Sequence, residues 1–189
     1  MELCTGEEQS PWRTTASREV YRNPWISVRE DEVVRPDGAP GIYGVMSTSR
    51  AVGVVALNAA DELVLVGQWR YTLEAYSWEI VEGGSDDGES PLQAARRELA
   101  EEAGYEAGSW STLIEDLALS NSVTDERATV FLATELTEVA RDPDPTEVLT
   151  VRHVGLDAAL AAYDDGTITD AITVAALLTL DRRRRAHRR

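Results

Sequence analysis

The stretch Gly83–Tyr105, GGSDDGESPLQAARRELAEEAGY, constrains this chain more than any other. Two glycines follow an apolar run and lead into an acidic turn. Ser90 is a good N-cap, Pro91 suits the first helical position, and Gln93 completes a capping box. The pattern predicts a helix from there to Ala103, with Gly104 as its C-terminal stop. Along it Glu98, Glu101 and Glu102 stand at i, i+3 and i+4, so a helix puts all three on one face. Three carboxylates there repel one another unless something positive lies between them, and a divalent cation meets that need. The bland alternative is a solvated acidic face held by pairs with Arg96 and Arg97.

The rest of the chain supplies a sheet for this helix. Residues 1–16 mix Glu, Thr, Ser and Pro without periodicity and read as a loose leader. From Ser17 to residue 47 the pattern is of strands, with PDG as a turn between two apolar runs, hence an antiparallel pair. AVGVVALNAADELVLVGQWR reads as two buried strands joined at Asn58–Asp61, and YSWEIVEGG as one short strand ending on the glycines. After the acidic helix come strands in WSTLIEDLALS, ATVFLATEL and VLTVRHV, then helices over 157–164 and 169–184. At 189 residues, with no linker, the expectation is one domain of the α+β class. Its outline is a mixed sheet between helices (an α/β/α sandwich) with an N-terminal antiparallel extension.

Charge and composition exclude some functions. A net charge of -16 argues against general binding to a nucleic-acid backbone. No apolar run approaches the about 20 residues of a membrane helix, and the start does not resemble a signal peptide. The single cysteine, Cys4, allows no internal disulfide and fits a cytoplasmic location. The tail RRRRAHRR is the exception to the acidic balance. It reads as cations favoured at the end of the last helix, continuing as a basic tail over 185–189.

Gly83, five residues, Glu89, seven residues, then Arg97-Glu98-Leu99-x-Glu101-Glu102-x-Gly104 resembles the Nudix box. Only Tyr105 departs, standing where an aliphatic residue is usual. The resemblance implies a Nudix fold and a hydrolase of a nucleoside diphosphate linked to another group. Mg²⁺, with Mn²⁺ as a substitute, would bridge carboxylates to the anionic diphosphate. The resemblance implies Glu98 and Glu102 as the main metal ligands, assisted by Glu101 and by the backbone carbonyl of Glu82. Arg97 would orient the carboxylates, with Glu89 as a candidate partner.

The flanks are similar to the ADP-ribose and nucleoside diphosphate sugar pyrophosphatase branch. In GQWRYTLEAYSWEIVEGG that resemblance assigns Trp69, Arg70 and Glu79 to the substrate. Arg70 suits a diphosphate because its planar fork binds two oxygens at once. Beyond the box, Ser120-Asn121-Ser122 stands where ADP-ribose enzymes carry a Ser-Pro-Gly-like turn, so Ser120 and Asn121 are candidate sugar contacts. The missing proline leaves another nucleoside diphosphate sugar open. The general base is expected at Glu147 in the loop RDPDPTE, with Glu126 as competitor. In this branch strands like those of 17–47 build a homodimer, placing Trp25 and Tyr43 at an interface or on a base. The Nudix domain itself is expected over 48–184. Other readings are hydrolysis of a dinucleoside polyphosphate or oxidised nucleotide, and a non-catalytic ligand sensor. The retained glutamates and the lack of a helix-turn-helix pattern disfavour the sensor.

Overall fold

The computed structural model describes residues 9–187, so the first eight leader residues, with Cys4, and the last two arginines lie outside the described residues. The chain forms two compact units rather than one. Of the described residues, the smaller comprises those up to Thr48 together with Ser120–Asp125, and the larger comprises the others.

The smaller unit is a three-stranded antiparallel sheet, β1 (Arg13–Arg22), β2 (Ile26–Val34) and β3 (Pro40–Thr48), in that order. The PDG segment turns β2 into β3 as anticipated, with Gly38 at φ 82° in the left-handed region. Between β1 and β2, Asn23 Oδ1 accepts the N–H groups of Trp25 and Ile26. Every residue of β1 is exposed, which explains why Arg13–Ala16 read as leader: a strand with no buried face carries no hydrophobic alternation. Residues 120–125 belong to this unit through a parallel bridge of Met46 to Thr124 and a Ser47 Oγ to Asp125 bond of 2.7 Å.

The larger unit has two sheets. One runs β7 (Val81–Gly84), β4 (Ala51–Ala56), β9 (Arg127–Glu138), β8 (Tyr105–Ala118), with β4 and β9 parallel. The other runs β10 (Thr150–Gly155), β5 (Glu62–Arg70), β6 (Ala75–Glu79) and is antiparallel. Alternate strand residues serve two cores. Val52, Val54, Val64, Val66 and Val81 pack with Ala94, Ala95 and Leu99 of the box helix. Val55, Leu63, Leu65 and Ile80 pack with Leu156 and Ala159 of α2 (Leu156–Asp164) and with Ile172, Ala176 and Leu177 of α3 (Ala171–His187). Each fully buried Val, Leu or Ile contributes about 1.5–3 kcal/mol. Helices thus cover both faces of the sheets, the α/β/α arrangement expected.

Three differences from the sequence reading have physical reasons. YSWEIVEGG is two strands: β6 pairs with β5 and β7 with β4, and the chain changes sheets at buried Ile80. β8 begins at Tyr105 rather than Trp110, because its first residues, YEAGS, are too polar and glycine-interrupted to show a strand pattern. α3 extends to His187, past the expected end at 184, and its cations are engaged within the fold. Arg183 donates to the carbonyls of Thr112 and Leu113, Arg184 meets Asp61 at 2.5 Å, and Arg185 meets Asp181 at 2.8 Å.

Candidate active site

The site is built where the edge strand β7 meets the box helix. That helix, α1 (Pro91–Glu98), starts on the Ser90–Gln93 capping box and continues into a wide π turn, Leu99–Ala103. Gly104, at φ 76°, ends it by donating to the Ala100 carbonyl. The wide turn carries Glu101 and Glu102, while α1 proper carries Arg97 and Glu98.

Two close approaches lock helix to strand. A Cβ on Gly83 would stand 2.1 Å from the Glu98 carboxyl carbon, so only glycine leaves Glu98 its place. The Glu82 N–H donates to Glu102 Oε2 at 3.3 Å. In a β-strand the N–H and C=O of one residue point to the same side, so the Glu82 carbonyl shares that outer edge with Glu102.

Arg97 ties the acidic groups together. It donates to Glu89 at 3.1 and 3.3 Å, to Glu98 at 2.8 Å, to Glu101 at 3.0 Å and to the Gly84 carbonyl at 2.9 Å. Glu89 was the candidate partner, and Glu98 and Glu101 join it. These carboxylates hold the guanidinium pKa above its ordinary value. Burial pushes the Glu98 carboxyl up to about 7 against the pull of Arg97. Burial, then the fields of Glu98 and Glu147, pushes Glu102 up to about 8. Crowded carboxylates that resist ionisation are what a bound cation relieves.

Among the described residues no three His, Cys, Asp or Glu side chains stand as a ready ion cage. Glu98 and Glu101 lie instead on Arg97. The candidate donors are nonetheless all oxygen: Glu98, Glu101, Glu102 and the Glu82 carbonyl. Hard oxygens of this kind fit Mg²⁺ or Mn²⁺ and not a soft metal.

The other sequence-predicted residues fall into three groups. Arg70 and Glu79 are joined: Arg70 Nε donates at 2.9 Å, Nη2 completes the pair, and Glu79 is buried. The positive field of Arg70 opposes the rise in pKa of both Glu102 and Glu147, so its charge is felt at the acidic cluster. Glu147 lies in the loop after β9, its N–H bonded to the Asp144 carbonyl at 2.8 Å, and its own field acts on Glu98 and Glu102. Burial, then Asp144, raises the Glu147 pKa. Glu126 sits just ahead of β9, its carbonyl accepting the Leu119 N–H. Trp69 precedes Arg70 on β5. It is exposed, and strand alternation turns it to the face opposite Arg70, beside Tyr76. Ser120 and Asn121 belong to the smaller unit, where the Ser120 carbonyl closes a turn by accepting the N–H groups of Val123 and Thr124.

Sequence reasoning missed two residues, Asp170 and Thr173. Thr173 on α3 is fully buried, accepts the Ile80 N–H at 3.0 Å and donates to the Glu82 carboxyl at 2.8 Å. Asp170 caps α3 by accepting the Thr173 N–H at 2.8 Å and lies against the same carboxyl. Burial, then Asp170, holds the Glu82 side chain well above the usual carboxylate range. A polar residue inside the apolar run AITVAALL was the available signal. Tyr105, the one departure from the box, bonds His153 of β10 through its hydroxyl at 3.0 Å.

The chain matches two family models. Residues 12–46 match the nucleoside diphosphate sugar hydrolase N-terminal domain, and residues 47–176 match the NUDIX domain. An ADP-ribose pyrophosphatase of Mycobacterium tuberculosis is 31% identical over 89% of this chain and 83% of its own length. An ADP-ribose pyrophosphatase of Bacillus subtilis is 32% identical over 87% of this chain and 90% of its own. A crystal structure of an ADP compounds hydrolase shares the fold at a TM-score of 0.84 and 23% identity, covering 96% of this chain and 98% of the other.

Proposed function

Since the chain belongs to the Nudix hydrolases, we propose that it hydrolyses the pyrophosphate bond of a nucleoside diphosphate sugar of the ADP-ribose kind, with Mg²⁺ as cofactor. The single observation that carries the reading is the convergence of Glu98, Glu102 and the Glu82 edge around Gly83, with Arg70 and Glu147 within its field. The names of the relatives support a sugar-linked diphosphate as substrate.

Glu98, Glu101, Glu102 and the Glu82 carbonyl would hold the ion. Bound there, it supplies Lewis acidity toward the diphosphate oxygens and neutralises charge that develops on them. Arg97 keeps the acidic side chains apart and aimed. Arg70, braced by Glu79, presents a fixed guanidinium to the diphosphate. Water attacks one phosphorus, the bridging P–O bond breaks, and a nucleoside monophosphate and a sugar phosphate leave. Glu147 accepts the proton of the attacking water, a role open to a carboxylate whose field reaches Glu98 and Glu102.

We read the native enzyme as a cytoplasmic homodimer. The support for assembly is the smaller unit, whose exposed Tyr21, Trp25 and Ile42 leave apolar surface on a thin sheet. Among the described residues no helix is long and apolar enough to cross a membrane.

The test is a panel of nucleoside diphosphate sugars with Mg²⁺ or Mn²⁺, with products identified by mass spectrometry in ¹⁸O-labelled water. A monophosphate pair from one preferred sugar nucleotide is the expected result. Turnover confined to dinucleoside polyphosphates or nucleoside triphosphates would overturn the substrate assignment.

A further inference from the structure

The side chain of Glu82 does not face the carboxylate cluster. It faces α3, where it meets Thr173 and Asp170. Its backbone, by contrast, lies on the outer edge beside Glu102. One residue therefore joins two layers of the fold. The joint sits beside Ile80, where the chain leaves the β5–β6 sheet to enter the β4–β7 pair.

At that break Ile80 has no ladder partner for its N–H, and the Thr173 hydroxyl accepts it at 3.0 Å. The same hydroxyl spends its proton on Glu82 at 2.8 Å. Thr173 is rigid in turn: it is fully buried, its χ1 is restricted by β-branching, and its N–H is fixed by Asp170 at 2.8 Å. The neighbouring contact is tight as well. A Cβ on Gly53, which pairs with Glu82 across the ladder, would stand 3.0 Å from both Ile172 and Ile80. The side chains of Ile172 on α3 and of Ile80 thus fill the space over Gly53 of β4.

We propose that Thr173 is a positioning residue for the metal site. Through its two hydrogen bonds it sets the register of Ile80–Glu82, and so the direction of the Glu82 carbonyl and N–H relative to Glu102. The inference rests on the metal-site reading of Glu82, Glu98 and Glu102. Groups that orient ligands from behind change metal affinity by about 10–100-fold when removed.

The experiment measures Mn²⁺ binding by electron paramagnetic resonance on the full chain, alongside kcat and the Mg²⁺ concentration for half-maximal rate. Thr173→Val keeps the shape and loses both hydrogen bonds, whereas Thr173→Ser keeps them. Thr173→Val should weaken Mn²⁺ binding by about tenfold or more, and Thr173→Ser should bind within about twofold of wild type. Glu82→Ala, which keeps the carbonyl but loses the carboxyl, should reproduce the loss, and the double variant should lose no more than either single one. It also serves as the decisive variant if Thr173→Val does not fold. Wild-type Mn²⁺ affinity in Glu82→Ala or in folded Thr173→Val, or equal losses in the Val and Ser variants, would overturn the proposal. Absence of Mn²⁺ binding by the wild-type chain would instead overturn the metal-site reading beneath it.

Discussion

Gly83 and Glu98 occupy one another's space: a single added carbon on Gly83 would stand 2.1 Å from the Glu98 carboxyl carbon. The glycine of the box is therefore a cradle for a carboxylate as well as a turn. Gly83→Ala should push Glu98 out of register while the core around Val81 and Leu99 stays intact. A misplacement of about 1 Å at a reacting centre costs on the order of 10²-fold in rate. The expected outcome is a loss of kcat/KM of that size with a melting temperature close to wild type. A fully active Gly83→Ala enzyme would show that Glu98 has another place to work from.

Arg97 serves four acceptors at once, three of them carboxylates. Arg97→Gln leaves Glu89, Glu98 and Glu101 without that cation, and we expect metal-free stability to fall by about 1–3 kcal/mol in urea titration. Arg97→Lys should recover only part, because an ammonium cannot span the same fork. Saturating Mg²⁺ should narrow the difference between variant and wild type, since the ion takes over part of the neutralisation.

The metal-free protein should lose stability as pH rises from about 4.5 to about 8. Glu98 and Glu102 are raised to about 7 and about 8 in the folded chain from an ordinary 4.5. Over that window the folded state binds more protons than the unfolded state, so unfolding becomes easier with increasing pH. Thermal melts in chelator at about pH 6 and about pH 8 check the sign. Adding Mg²⁺ at the higher pH should raise the melting temperature, as a ligand selective for the folded state does.

Much of this helix and its acidic face is legible in the sequence, and the reason is locality. The capping box, the Gly104 stop and the i, i+3, i+4 glutamates are all set within one stretch of chain. So is the Arg97 network, apart from its direction. The unread parts depend on distant contacts. The break at Ile80 is stabilised by Thr173, which is 93 residues further on, and no pattern within YSWEIVEGG announces it. Strand β1 escaped for the opposite reason: with no residue buried, nothing in Arg13–Ala16 distinguishes a strand from a leader. Trp69 and Arg70 are neighbours in β5, and adjacency in a strand means opposite faces, which residue order alone does not display.

Glu147 is the proposed general base, with Glu126 as its competitor, and the field of Glu147 reaches Glu98 and Glu102. Glu147→Gln should lower kcat by about 10²–10⁴-fold and remove the acidic limb of the pH–rate profile, leaving Mn²⁺ binding nearly unchanged. Glu126→Gln should keep that limb. The reverse pattern would exchange the two roles.

Hydrolysis depends, in the function proposed here, on a metal held by the Glu98–Glu102 face. The most direct test of this is turnover of a nucleoside diphosphate sugar by Glu102→Gln at saturating Mg²⁺, with folding verified by circular dichroism. The expected result is a folded protein with no measurable turnover and weakened Mn²⁺ binding. Wild-type-like turnover by that variant would contradict it.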